Sequence, residues 1–215
     1  MKDPLPEIFV NSGEAKACRG EGILQAGAIG SCVAVAAYDP DSAVGGMAHV
    51  MLPGESPGPD PSVKTKYAKD AVEEMMQMMS NLGAMEARIH VCLIGGGNVL
   101  GDGHDSPGPD IVRSLIEILG KKGITPIAME VGGMQRRSCA LHVARGRVTY
   151  TVGDSEQRTL RETKACGLGS ADKGGGSSRR SRPRACPGVD FRRTRPWIQA
   201  TGEWRAEGSS LDSKR

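Results

Sequence analysis

Aromatic residues make up only 3% of this 215-residue chain, while glycine occurs 30 times. A core cannot be built around large rings here, and the composition suits strands and turns packed through small residues better than a helical bundle. The six cysteines, Cys18, Cys32, Cys92, Cys139, Cys166 and Cys186, include no C-x-x-C pair. That spacing excludes a zinc ribbon and a thioredoxin-type redox motif. His90 and Cys92 alternate onto one face of an expected strand, but two ligands are too few for structural zinc, so no metal is expected. No apolar run approaches the roughly 18–20 residues of a membrane span, and the start lacks the basic-then-apolar layout of a secretory leader. A cytoplasmic protein without membrane insertion or disulfides is the expectation.

Charge is unevenly distributed. Residues 156–215 carry a net +7 and residues 1–155 a net −4, so the overall +3 conceals a mildly acidic domain and a basic tail. The tail contains Gly174-Gly175-Gly176-Ser177-Ser178-Arg179-Arg180-Ser181-Arg182-Pro183-Arg184, with little to bury, and is expected to be disordered. Basic flexible segments bind nucleic acid in some proteins, but a solvated appendage is the simpler reading of this one. The domain is therefore placed at 1–155 and the tail at 156–215.

Within the domain, a first strand is expected near Ile8 to Ser12, followed by two apolar runs, Val33 to Ala37 and Gly45 to Leu52. The Pro-rich stretch Gly54 to Ser62 reads as an exposed loop. Ala68, Ala71, Val72, Met75, Met76, Met79 and Leu82 recur at helical spacing and predict a helix over Tyr67 to Leu82, stopped by Gly83. A strand over Arg88 to Ile94 precedes Gly95-Gly96-Gly97-Asn98. No Gly-Lys-Ser/Thr follows those glycines, so they read as a turn rather than a phosphate loop. Asp110 is expected to cap a second helix with Ile111, Val112, Leu115, Ile116 and Leu119 on one face. Strands at Ile124 to Val131, Ser138 to Ala144 and Arg147 to Val152 complete the domain, the last two as a hairpin at Arg145-Gly146. The fold class is mixed α/β (α+β), with mostly antiparallel sheets and flanking helices.

Chemistry is suggested at one place. Gly27-Ala28-Ile29-Gly30-Ser31-Cys32 leads into the first apolar run, His49 lies in the second, and Tyr38-Asp39-Pro40-Asp41-Ser42 between them is rich in turn formers. A hairpin folded about the Pro40-Asp41 peptide pairs positions whose numbers sum to 81, which sets Cys32 directly opposite His49. Their Cβ atoms would then lie roughly 4.5–5.5 Å apart. A thiol that passes its proton to a neighbouring imidazole becomes the nucleophilic thiolate. By itself a cysteine opening an apolar strand is an inert packed group. The entry distinguishes this one, because Gly27, Gly30 and Ser31 let the backbone turn tightly and bring amide N–H groups toward an oxyanion.

These residues resemble the CheD family of chemoreceptor glutamine deamidases. The carrying motifs are Gly30-Ser31-Cys32 and Gly46-Met47-Ala48-His49-Val50-Met51-Leu52-Pro53, with further matches at Lys66-Tyr67-Ala68, Gly95-Gly96, Gly132-Gly133 and Arg137-Ser138. The resemblance spans roughly residues 5–155. It implies a fold similar to the catalytic domains of cysteine-dependent deamidating toxins, with Cys32 and His49 as catalytic residues and the backbone at Gly30 and Ser31 as oxyanion support. Two departures stand out. The family carries a catalytic threonine six residues before the cysteine, where this chain has Ala26, and an Ile-Gly-x-Arg-Asn stretch where it reads Pro107-Gly108-Pro109-Asp110-Ile111.

The resemblance implies hydrolysis of a protein glutamine through a thioester on Cys32, with no cofactor. The implied substrates are the cytoplasmic helices of methyl-accepting chemoreceptors, and the implied partner is a CheC-type phosphatase. The alternative is a catalytically weak binding module on the same partners, because Ala26 offers no hydroxyl. Gly132, Gly133, Arg136 and Arg137 form a second feature, which presents cations to an acidic partner or simply keeps a loop soluble.

Overall fold

The structure, a computed structural model, describes residues 5–99, 101 and 106–163. In chain order the strands are β1 (Glu7–Phe9), β2 (Ala15–Arg19), β3 (Ile23–Ile29), β4 (Val33–Asp39), β5 (Val44–Val50), β6 (His90–Gly95), β7 (Ala128–Val131), β8 (Arg137–His142), β9 (Arg147–Val152) and β10 (Arg158–Glu162). The helices are α1 (Pro61–Lys64), α2 (Ala68–Asn81) and α3 (Gly108–Lys121). Two five-stranded sheets result, ordered β1-β3-β8-β9-β10 and β2-β5-β4-β6-β7. Pairing is antiparallel except for β1 with β3 and β6 with β7, so the expected mixed architecture with mostly antiparallel sheets is the observed one.

Alternation along β4 explains the layering. Val33, Val35 and Ala37 face α2 and α3, in a cluster with Val72, Met75, Met79, Ile111 and Leu115. Ala34, Ala36 and Tyr38 face the other sheet, in a cluster with Leu24, Ile29, Cys139 and Leu141. A strand covered on both faces needs apolar residues at every position, which is why this segment reads as an unbroken run. Small side chains let the layers approach. A Cβ on Gly46 would overlap the Met79 and Met75 side chains of α2, so glycine is needed there for contact rather than for backbone freedom.

Helix α2 buries Ala68, Ala71, Val72, Met75, Met76 and Met79, the stripe predicted from spacing, and the chain leaves it through Gly83 at φ +98°. Other expectations are corrected. Helix α3 begins at Gly108, so Asp110 lies in its first turn and caps nothing; Ser106 Oγ accepts the Gly108 N–H at 3.3 Å instead. The strand expected from Ile124 is confined to Ala128–Val131. Strand β10 pairs with β9 beyond the boundary expected at residue 155, so the sheet continues into what was read as tail. The remainder of that tail, from residue 164, lies outside the described residues.

The hairpin register is fixed away from the site, at its turn. Asp39 is fully buried, and its carboxylate accepts from the Asp41 N–H (3.1 Å), Ser42 Oγ (2.9 Å), the Met85 N–H (3.0 Å) and Arg88 Nη2 (2.8 Å). Burial alone would push this carboxyl up, but the Arg88 guanidinium and the three other donors hold it below its ordinary value of 3.8. Its contribution to stability is therefore complete above the unfolded value and is lost as pH falls through the lower folded one. Removing the buried carboxylate strands these donors, and Asp39→Ala is expected to cost about 3 kcal/mol or more in urea denaturation at pH 7. The difference between variant and wild type should narrow below about pH 4.

Candidate active site

The two sheets exchange chain at one end of the sandwich. Residues 10–14 cross from β1 to β2, and residues 30–32 cross from β3 to β4, so Cys32 stands at the mouth of the inter-sheet layer. The loop is held by β6 and its continuation: the Gly96 N–H donates to the Cys32 carbonyl at 2.7 Å and the Gly97 N–H to the Gly30 carbonyl at 2.9 Å. A third loop joins these, since the Asn98 N–H donates to the Gly133 carbonyl at 2.7 Å and the Gly132 N–H to the Gly95 carbonyl at 2.9 Å. Exposed Val99 and Met134 stand on these loops.

The expected direct pairing of Cys32 with His49 is not what forms. The observed register is Ala34 with His49 and Val33 with Val50, a sum of 83, because the connection spans residues 40–43 with Ala43 at φ +50° rather than folding about Pro40-Asp41. A shift of two keeps the face. Cys32 has the same parity as Ala34 and packs against the inter-sheet cluster, making it the diagonal neighbour of His49, with Cβ atoms somewhat under roughly 7–8 Å apart. The structure thus brings the two together on one face at one sheet end, one step looser than expected.

His49 is 2% exposed. Its Nδ1 lies 3.4 Å from the Val10 carbonyl, which only accepts, so the neutral ring carries its proton on Nδ1 and leaves a lone pair on Nε2. Nε2 is buried and has no hydrogen-bond partner among the described residues, the Cys32 sulfur included. Burial lowers the imidazole below its ordinary value, against a smaller upward push from the Val10 carbonyl. Cys32 is half-buried, and burial likewise pushes its thiol up, opposed by its own backbone N–H. Both shifts favour neutral partners at rest. Such a pair can transfer a proton as the sulfur attacks, but it does not rest as thiolate and imidazolium.

Gly27 and Gly30 do not supply the tight turn in the expected way. Neither has positive φ; the left-handed residue is Ala28, at φ +53°, inside an irregularity of the β3–β8 pairing. Gly30 instead leaves room for a neighbour, as a Cβ there would come within 3.1 Å of the Val99 side chain. Among the described residues the backbone N–H groups of Ser31 and Cys32 donate to no carbonyl, although the Cys32 N–H already faces its own sulfur. Ala26 is buried at 2% exposure on β3, paired with Cys139, and offers no polar atom from its side chain.

The Val10 carbonyl escaped sequence reading because any residue type presents one. In the sequence Arg137 stands out as part of a loop and, with Ser138, as one of the motifs of the family resemblance. It is 6% exposed, and its Nη2 donates to Glu130 Oε1 and its Nη1 to the Gln135 carbonyl, both at 3.2 Å, pinning the 131–136 loop. Among the described residues no group of three or more His, Cys, Asp or Glu is arranged to hold a metal. His90 and Cys92 do share the inter-sheet face.

Residues 51–152 match the family model described as CheD chemotactic sensory transduction. That match starts just after His49, so it does not itself include the pair. A protein of Chlorobium luteolum named “Probable chemoreceptor glutamine deamidase CheD” is 37% identical over 155 residues, 72% of this chain and 77% of that one. The Thermotoga maritima protein named “Chemoreceptor glutamine deamidase CheD” is 31% identical over 158 residues, 71% of this chain and 97% of that one. A solved structure of the hypothetical protein YfiH from Bacillus licheniformis aligns with 51% of this chain and 46% of that one at 15% identity and a TM-score of 0.33, too partial a likeness to carry an argument.

Two outcomes follow from this geometry. Alkylation of Cys32 by iodoacetamide, followed peptide by peptide, should show a pH midpoint above the ordinary thiol value of 9.0 and be slower at pH 7 than for free cysteine. Gly95→Ala should disable the site. Gly95 has φ +121°, and a Cβ there would overlap the Cys32 carbonyl oxygen, so either the fold or the Cys32 loop gives way; circular dichroism and alkylation rate separate the two.

Proposed function

This chain belongs to the CheD family, and from that premise we propose that it is a chemoreceptor glutamine deamidase acting through Cys32 and His49. The observation that carries the residue assignment is the buried, unpartnered Nε2 of His49 on the face of the hairpin that Cys32 shares. A buried polar atom without a partner costs about 1–3 kcal/mol, which a reaction partner offsets.

The steps follow from the two neutral groups. His49 Nε2 takes the proton from Cys32 Sγ as the sulfur adds to the glutamine amide carbon. The backbone N–H groups at Ser31 and Cys32 receive the oxyanion. The imidazolium then protonates the leaving nitrogen, the C–N bond breaks, and ammonia departs from a thioester. Water enters, His49 removes its proton, and the hydroxide adds to the thioester carbon. Collapse expels the sulfur, which regains its proton from His49, leaving glutamate. Ala26 contributes nothing to these steps, and the Val10 carbonyl orients the imidazole in place of a side-chain hydroxyl.

The substrate class is glutamine on the cytoplasmic helices of chemoreceptors, where deamidation adds a negative charge. Association with receptors, and with a CheC-type phosphatase, rests on family membership and the resemblance. Among the described residues no helix is long and apolar enough to cross a membrane. A docking module without turnover is the second reading, favoured by Ala26 alone.

Incubation of a receptor cytoplasmic fragment with the protein should produce the amide-to-acid mass shift of deamidation. Cys32→Ala should abolish the shift and His49→Gln reduce it by at least about 10²-fold. If wild type binds the fragment yet gives no shift, the docking reading replaces the enzymatic one. In kcat/KM the acid limb should lie below pH 6.5, since the folded imidazole is lowered and must be neutral to act. The plateau should extend past pH 9, since no prior thiol ionisation is required.

A further inference from the structure

A concavity lined in part by β3, the strand that leads into the Cys32 loop, has no part in the chemistry above. It measures about 220 Å³ and is lined by Ala28, Arg136, Arg137, Ser138, Thr151 and Gly153. Ala28 is the left-handed residue of the β3 irregularity, four positions before Cys32, so its rim and the nucleophile belong to one short segment of main chain.

We propose that this concavity is a carboxylate subsite, with Arg136 as the specificity-determining residue that reads an acidic side chain near the target glutamine on the substrate protein. The proposal rests on the deamidase reading given above.

Three observations converge on an anion. Arg136 holds its guanidinium largely in solvent, 69% exposed, in a domain whose first 155 residues are net negative. Arg137, the next residue and also part of the lining, is buried, and although its terminal nitrogens bond Glu130 and Gln135, its Nε is buried without a partner among the described residues. The Ser138 and Thr151 hydroxyls, 2.7 Å apart, complete a donor-bearing wall. Arg136 already accommodates a carboxylate at this place: Asp154 Oδ1 lies 3.2 Å from its Nη2. That pair is solvent-exposed, with Asp154 at 93%, and such pairs contribute little, so a better-placed carboxylate displaces it readily. A guanidinium offers a planar fork to a carboxylate, which gives register along a helix as well as attraction. Aligning a helical substrate so that one glutamine of several meets Cys32 requires such an off-centre contact.

The test uses the full-length protein and the receptor fragment on which wild type gives the mass shift. Arg136→Gln and Arg136→Glu should raise KM about tenfold or more while leaving kcat within about twofold. Asp154→Asn should lower KM, since it frees the guanidinium. Lys121→Glu, the same charge change as Arg136→Glu at an exposed position of α3, should alter neither. On the substrate, neutralising one acidic residue within two helical turns of the target glutamine should reproduce the loss with wild type. Replacing that residue by lysine should restore turnover to Arg136→Glu.

Unchanged KM in both Arg136 variants overturns the subsite. So does a KM loss that no single acidic position on the substrate reproduces, because the effect is then general charge attraction. Absence of any mass shift with wild type fails the deamidase reading itself, a result distinct from either.

Discussion

The register between β4 and β5 is the constraint on which the candidate site depends. All seven residues of β4 are buried, and its neighbours β5 and β6 hold both edges, so the strand cannot slide without exposing one apolar face or the other. The register is set at the opposite end of the hairpin from the chemistry, where Asp39 gathers the turn and Arg88 around one buried carboxylate. A slip by one residue would send His49 toward the helices and away from Cys32. The placement of His49 on the face of Cys32 is therefore a consequence of turn geometry some seven residues distant.

How much of this was legible depends on what kind of signal each element leaves. Helix α2 shows in the sequence because its methionine and alanine stripe repeats at helical spacing over nearly four turns. Strand β4 shows as an apolar run because both its faces are covered. Strands β2 and β10 do not show: each is a short edge strand, and Arg158, Arg161 and Glu162 give β10 the composition of a solvated segment. Charged edges resist pairing with other chains, so the very residues that protect the edge disguise the strand. The Cys32 and His49 pair was legible in residue type and face but not in register, because the sequence does not announce whether Pro40-Asp41 or the longer 40–43 segment makes the turn. The Val10 carbonyl left no signal at all.

The electrostatics of the pair oppose a common assumption about cysteine nucleophiles. Reactive cysteines are often thiolates at rest, held by a cationic neighbour or a helix N-terminus. Here burial acts on both groups in the direction of neutrality: it raises the thiol and lowers the imidazole. A neutral thiol is a poor target for adventitious oxidation and alkylation, and the imidazole is already in its basic form. In a pair of this kind the proton can leave the sulfur only as the sulfur forms a bond, so thiol and imidazole must meet at that moment rather than before it.

The glycine-rich loops carry the other half of that argument. Gly30, Gly96, Gly97, Gly132 and Gly133 lie on the loops bonded to the Cys32 segment, and a Cβ on Gly97 would stand only 3.0 Å from the Gly133 carbonyl. These loops lie against one another through main chain, the Asn98 N–H on the Gly133 carbonyl and the Gly132 N–H on the Gly95 carbonyl, so the segment around Cys32 is held by peptide groups rather than by side chains. Val99 and Met134 are exposed apolar side chains that stand on them. A Cβ on Gly95 would overlap the Cys32 carbonyl oxygen, so the position of the thiol depends on a residue type that no side chain can replace.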